Sequence, residues 1–293
     1  MSAYVGRFAP SPTGPLHAGS LVAAVGSYLA ARNAGGRWLL RIEDLDPPRE
    51  MPGAADLIRQ SLEAHGLHWD GPDVYQRDRL EAYQVALDKL RARDLVYPCS
   101  CSRSKLAASA INGVFGPIYP GHCRMGPWRP GGRYAWRVRT DNEAIVFEDR
   151  RVGWYGQQLK GDIGDFVVRR ADGLFAYQLA VVVDDAWQGV TEIVRGEDLL
   201  DNTPRQILLQ RLLGLPQPSY LHLPLVRDAH GQKLSKQTFS AALDDDRPVE
   251  NLFAAMVCLG MPPPEDLRTG AVDELLEWAI AHWRVPPDDW VSR

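Results

Sequence analysis

Short apolar runs alternate with longer amphipathic ones through the first third of the chain, separated by turns rich in Pro, Gly and acidic residues. Tyr4 to Phe8 predicts a short strand that runs into the Pro/Gly turn Ala9 to Pro15. Gly19 to Arg32 is dense in Ala, Leu and Val and predicts a buried helix. Trp38 to Ile42 predicts a second strand, ending in the acidic turn Glu43-Asp44-Leu45-Asp46-Pro47. Ala54 to His65 and Arg77 to Arg93 carry helical periodicity, with Tyr83, Leu87 and Leu90 on one stripe, and Leu95 to Tyr97 predicts another strand. This alternation of strand and helix predicts an α/β fold with a parallel sheet covered by helices.

From Cys99 to about Gln158 the texture changes. Gly, Pro, Arg and Trp become frequent, and Tyr134 to Arg139 and Ala144 to Glu148 predict strands of an antiparallel insertion. The earlier pattern resumes with strand-like runs at Phe166 to Arg169, Ala176 to Val183 and Glu192 to Val194. Thr203 to Leu213 then predicts a helix with Thr203 as N-cap, Pro204 at its first position and Gly214 as terminator. Two more helices, Val249 to Leu259 and Val272 to Trp283, fill the 56 residues after Gln237. The expected domains are 1–98 and 166–237 as two halves of a nucleotide-binding domain, 99–165 as an insertion, and 238–293 as a short helical subdomain.

Composition narrows the class. The 293 residues are 45% hydrophobic and 24% charged, as in an ordinary globular protein. A net charge of -4 is not the footprint of a general nucleic-acid binder, so an RNA partner would need a local basic patch. Arg124, Arg129, Arg133, Arg137 and Arg139, interleaved with Trp128, Tyr134 and Trp136, are the candidate. The N-terminus lacks the regions of a signal peptide, and the apolar stretch Leu21 to Ala31 is too short to span a bilayer. The expectation is a cytoplasmic monomer with no membrane partner.

A strand, a Pro/Gly turn and a helix start form a common phosphate site, because backbone N–H groups and the helix dipole point at the anion. Thr13, Gly14 and Gly19 would let backbone approach an ATP phosphate, and His17 would donate a hydrogen bond to it as charge builds. Far along the chain, Lys233-Leu234-Ser235-Lys236-Gln237 supplies two lysines that could meet the triphosphate from the other side. Arg7, Glu43 and Arg195 all sit at expected strand ends, which face the ligand crevice of an open α/β sheet. Cys99, Cys101 and Cys123 could converge on a metal ion. Ligand frequencies name His122 as the fourth donor, although it is adjacent to Cys123, an awkward place from which to chelate the same ion. Cys258 lies among Met256, Val257 and Leu259 and is expected in the core.

Arg7 through Gly19 resembles the signature of class I aminoacyl-tRNA synthetases of the glutamyl/glutaminyl type. His17-Ala18-Gly19-Ser20 resembles the region named for His-Ile-Gly-His, and Lys233 to Gln237 the region named for Lys-Met-Ser-Lys-Ser. Ser20 replaces the second His and Gln237 the last Ser. The resemblance implies a Rossmann-type catalytic domain that uses ATP with Mg²⁺ to activate L-glutamate as glutamyl-adenylate. Catalytic roles fall on His17, Lys233 and Lys236, with Lys236 also binding ATP. Glutamate recognition falls on Arg7, Phe8, Ala9, Pro10, Ser11, Glu43, Tyr177 and Arg195. A short homologue of the glutamyl enzyme carries C-x-C…Y-x-x-x-C at the cysteine segment, which implies one structural Zn²⁺ on Cys99, Cys101, Tyr119 and Cys123. The chain stops soon after its lysine motif, before the place of the separate anticodon-binding domain of the full-length glutamyl enzyme. The resemblance therefore implies tRNA-independent activation and transfer to the cyclopentenediol of queuosine, in the anticodon loop of tRNA(Asp). The alternative is a minimal enzyme charging the 3′ end of tRNA(Glu).

Overall fold

The structure, a computed structural model, describes residues 3–109, 111–127, 129–225 and 242–286. Val5–Phe8 forms β1, Ala18–Asn33 α1, Arg37–Ile42 β2, Ala54–Ala64 α2, Val74–Tyr75 β3 and Leu80–Ala92 α3. The strands β1, β2 and β3 make a parallel sheet in that order. Helix α1 is buried on nearly every face, as its mainly apolar composition demands. It packs with Trp38, Leu40 and Ile42 of β2 in a core that also takes residues from near the end of the chain.

The chain continues through β4 (Val96–Cys99), α4 (Arg103–Ser109), the hairpin β5 (Ile111–Gly113) and β6 (Gly116–Ile118), and β7 (Ala135–Val138). Next come β8 (Ala144–Asp149), β9 (Gly153–Gln158), α5 (Leu159–Asp162), β10 (Val167–Arg169), α6 (Tyr177–Trp187) and β11 (Glu192–Gly196). Helix α7 (Thr203–Leu213), β12 (Ser219–Leu223), α8 (Pro248–Cys258) and α9 (Val272–Ala281) complete it. The strand β7 is antiparallel to both β4 and β10. The second large sheet runs β11-β12-β8-β9, with β12 parallel to β11 and β8, and β9 antiparallel to β8.

Two local expectations give way. Ala176 to Val183 belongs to helix α6, not to a strand. A short mainly apolar run fits a buried helix as well as a buried strand, and here the helix runs on to Trp187. Thr203 is not the N-cap of α7: it is already helical, at φ -58 and ψ -45, and Asn202 caps. Its hydroxyl is engaged by Arg195 instead, and a helical turn over Glu197–Asn202 leads straight into α7. Gly214 does terminate α7, with the left-handed φ of 67 that glycine adopts at no steric cost.

Candidate active site

The strands β1 and β11 lie side by side where the two large sheets meet. Thr191 N donates to Val5 O at 2.9 Å, and Val5 N to Thr191 Oγ1 at 2.9 Å. No ladder joins these strands beyond that point among the described residues, and a cavity of about 630 Å³ opens at their C-terminal ends. A crevice outside the carboxyl ends of neighbouring strands is the usual ligand position in an open α/β fold. Arg7, Phe8, Ala9, Pro10, Ser11, Glu43, Tyr177 and Arg195 all line it, as do Thr13, His17 and Gly19.

One wall is an ionic network. Arg7 Nε donates to Asp185 Oδ1 at 3.0 Å, and Arg41 Nη1 donates to the same oxygen at 2.8 Å. Arg41 Nη2 reaches Glu43 Oε1 at 3.2 Å. Two guanidiniums are thus balanced by two carboxylates. Burial pushes the Asp185 carboxyl up, but Arg41 and Arg7 together outweigh it and hold it below the ordinary range. Glu43 shifts the other way, because burial dominates and Arg41 and Arg7 only partly offset it. A cation arriving beside Glu43 would favour its charged form. Its backbone N–H is pinned to Pro10 O at 2.9 Å, which fixes the acidic turn against the phosphate turn.

The opposite wall is different. Arg195 is 5% exposed, and no carboxylate among the described residues lies within ion-pair distance of it. Its partners are neutral: Tyr177 Oη at 3.3 Å, Gln206 Oε1 at 2.8 Å, Thr203 Oγ1 at 2.8 Å and His222 Nε2 at 3.1 Å. A buried cation that lines a cavity without a counter-ion makes the cavity receptive to an anion. Tyr177 is positioned by the first turn of α6, and burial pushes its hydroxyl pKa up, so it stays a neutral hydrogen-bonding group.

At the nucleotide end, His17 caps α1. Its Nδ1 accepts from Ser20 N at 3.3 Å, and Nε2 lies 3.0 Å from Ser20 Oγ. The ring is therefore the Nε2–H tautomer when neutral. Ser20, standing where the motif has its second His, takes part in this cap. Gly14 has a φ of 147, which L side chains rarely adopt, and a Cβ there would meet nothing within 4 Å. Gly14 shapes the turn without lining the cavity. Lys233 and Lys236 lie outside the described residues. On either side of them, Leu225 lines the cavity and Leu243 N donates to Leu16 O at 3.0 Å.

Away from the crevice, Cys99, Cys101 and Cys123 bring their Sγ atoms within 4.8 Å of one another, a cluster able to hold a metal ion. Tyr119 Oη lies 3.4 Å from Cys99 Sγ and 3.7 Å from Cys101 Sγ, and accepts from Cys123 N at 2.9 Å. His122 is exposed and falls outside the cluster. Burial pushes the Cys101 thiol up to about 11, so a thiolate there calls for a cation. Cys258 is half-buried against the first core, as expected.

Sequence reasoning missed Asp185, Arg41, Asp149, Thr203, Gln206 and His222. The available signal was Asp184-Asp185 at the end of an apolar run, since buried acids require cations or donors facing them.

Residues 4–279 match the family model for tRNA synthetases class I (E and Q), catalytic domain. A glutamyl-Q tRNA(Asp) synthetase of Thiobacillus denitrificans is 56% identical over 284 residues, 97% of this chain and 94% of that protein. One of Dechloromonas aromatica is 56% identical over 286 residues, covering 96% and 94%. Among solved structures, a glutamate tRNA ligase from Elizabethkingia meningosepticum, in complex with its amino acid, superimposes with a TM-score of 0.79 at 25% identity. That match covers 94% of this chain and 64% of the ligase, so the chain spans less than two thirds of its length.

Proposed function

The chain belongs to the class I tRNA synthetases (E and Q), and from that premise we propose that it activates L-glutamate with ATP and Mg²⁺ in the absence of tRNA. It then transfers the glutamyl group to the cyclopentenediol of queuosine in the anticodon loop of tRNA(Asp). The observation that carries the amino-acid half is Arg195, a buried cation with no carboxylate partner among the described residues, facing a cavity that also holds Arg7 and Glu43. Glutamate has two carboxylates for arginines and one ammonium for Glu43. Phe8, Ala9, Pro10 and Ser11 form the wall between those groups. The acceptor half rests on the printed names of relatives that are 56% identical over nearly the whole chain.

In the first step a glutamate carboxylate oxygen attacks the α-phosphorus of ATP. A new O–P bond forms, the α–β anhydride breaks and pyrophosphate leaves. His17, at the N-terminus of α1 with Thr13, Gly14 and Gly19 around it, stabilises the phosphate charge, while Lys236 and Lys233 neutralise the departing pyrophosphate. Mg²⁺ supplies charge neutralisation along the phosphates when bound. In the second step a queuosine hydroxyl oxygen attacks the adenylate carbonyl, an ester forms and AMP leaves. The cysteine cluster stands apart from this chemistry. We assign it a structural Zn²⁺ on Cys99, Cys101, Tyr119 and Cys123, because three thiols and one hydroxyl match the four-donor demand of that ion.

The test is transfer of labelled glutamate to tRNA(Asp) with and without queuosine, beside tRNA(Glu), before and after periodate treatment of the 3′ end. Label confined to queuosine-bearing tRNA(Asp) and indifferent to periodate is the expected result. Periodate-sensitive label on tRNA(Glu) would overturn the acceptor and leave the amino-acid half standing.

A further inference from the structure

Behind Arg195 runs a chain of buried groups for which the glutamate reading gives no role. Adjacent strands create it. Arg195 of β11 is the register partner of His222 of β12, and Tyr220 of β12 is the register partner of Asp149 of β8. His222 is 0% exposed and Asp149 1%. Every donor facing Asp149 in this chain of groups is an N–H. Its Oδ1 accepts from Arg151 N and Val152 N, both at 3.0 Å. Its Oδ2 accepts from His222 N at 3.1 Å and lies 2.6 Å from His222 Nδ1. A carboxylate so surrounded stays ionised, so the proton of the neutral imidazole sits on Nδ1. That leaves Nε2 bare, 3.1 Å from Arg195 Nε, with Thr203 Oγ1 at 3.3 Å.

We propose that His222 is a positioning residue for amino-acid recognition, held in its Nδ1–H tautomer by Asp149 so that Nε2 accepts from Arg195 Nε and aims the guanidinium into the cavity. The choice of acceptor has a chemical reason. A carboxylate at this position would orient Arg195 equally well but would cancel the positive charge that an anionic substrate needs. A neutral imidazole orients the fork and leaves its charge to the ligand. With Nε donating to His222, Nη1 to Gln206 and Tyr177, and Nη2 to Thr203 and Leu199 O, the guanidinium has one fixed plane. His222 touches no substrate in this scheme. The inference rests on the glutamate reading of the cavity.

The experiment compares His222→Gln, His222→Leu and Asp149→Asn with the parent in glutamate-dependent ATP–pyrophosphate exchange. Gln keeps an acceptor near the Nε2 position and should leave the KM for glutamate within about threefold, a change smaller than one hydrogen bond. Leu removes the acceptor, and Asn turns an N–H toward Nδ1 and forces the Nε2–H tautomer. Each should raise the KM for glutamate at least about tenfold, the scale of one lost hydrogen bond to a charged group, with the KM for ATP unmoved. Alongside, ¹⁵N NMR of histidine-labelled full-length protein should show Nδ1–H at His222 in the parent and Nε2–H in Asp149→Asn. A parent KM in His222→Leu, an equal rise for ATP and glutamate, or an Nε2–H tautomer in the parent would each overturn the proposal. Absence of exchange in the parent overturns the glutamate reading instead, and is told apart because the tautomer is read with no substrate present.

Discussion

Arg195 concentrates the chemistry of the cavity in one side chain. Its neighbours supply hydrogen bonds but no negative charge among the described residues, so on the proposed function the glutamate carboxylate would be its counter-ion. Arg195→Ala should therefore raise the glutamate requirement by about thirtyfold or more, the cost of stranding one half of a buried ion pair, while the KM for ATP is nearly unchanged. Equal loss of ATP and glutamate would place the residue at the phosphates. His222 has a consequence for stability as well. Burial first, then the charges of Arg195 and Arg151, hold its pKa down to about 4 against the pull of Asp149. Its ordinary value is 6.5, so between that pH and about 4 the unfolded chain binds more protons than the folded one. Stability then falls as pH falls through this window, by roughly 3 kcal/mol, and this contribution is flat above it. Urea midpoints of the parent and His222→Gln, taken at about pH 7.5 and pH 5, should converge at the lower value; parallel losses would show that His222 is not the group responsible.

At the level of elements, the strands and helices that carry the phosphate turn could be read from the chain because each has its own signature. The turn is rich in Pro and Gly, α1 is mainly apolar, and β2 ends abruptly in acid. Helix α6 could not be read so. In Ala176 to Val183 every position is compatible with burial, and only its partners decide its shape. As a helix it brings Tyr177 and Asp185 about 12 Å apart along one face, close enough to serve one cavity. As a strand the same residues would be about 26 Å apart. The pairing of Arg41 with Asp185 could not be read for the same reason, since the two residues are 144 apart and no local pattern links them. The three cysteines were legible as a set because thiols at such spacing can converge on one metal ion. Their segment has a small core of its own, with Tyr97 and Tyr119. It is strapped to the body through Asp165, which accepts from Tyr97 at 2.6 Å, Arg124 at 3.1 Å and Thr140 N at 2.8 Å. Cys99→Ser should lower bound zinc from about one per chain toward none and reduce the melting temperature by several degrees, with pyrophosphate exchange largely kept. Unchanged zinc content would remove Cys99 from the metal site.

On the scale of the whole molecule, the two faces of the protein are expected to separate two functions. On the proposed function the crevice between β1 and β11 takes glutamate and ATP, and exposed Arg129 and Arg133 of the cysteine-bearing segment are the candidate RNA contacts. Replacing both with Ala should weaken glutamyl transfer to tRNA by about tenfold at physiological salt and flatten its salt dependence, with pyrophosphate exchange intact. Full transfer activity in that variant would move the RNA path elsewhere. No helix of the described residues is long and apolar enough to cross a membrane.

The meeting of β1 and β11 through Val5 and Thr191 also sets an order in time. Arg7 leaves the ribosome first, and Arg195 and the strand that carries His222 follow close to two hundred residues later. Until then β1 lacks its neighbour, Asp185 has not reached Arg7 and Arg41, and the cavity has only one wall. On the proposed function a growing chain would therefore not capture glutamate, however much of its first sheet has formed. Ligand binding belongs to the last stage of folding, when long-range pairing closes the loop between the two arginines.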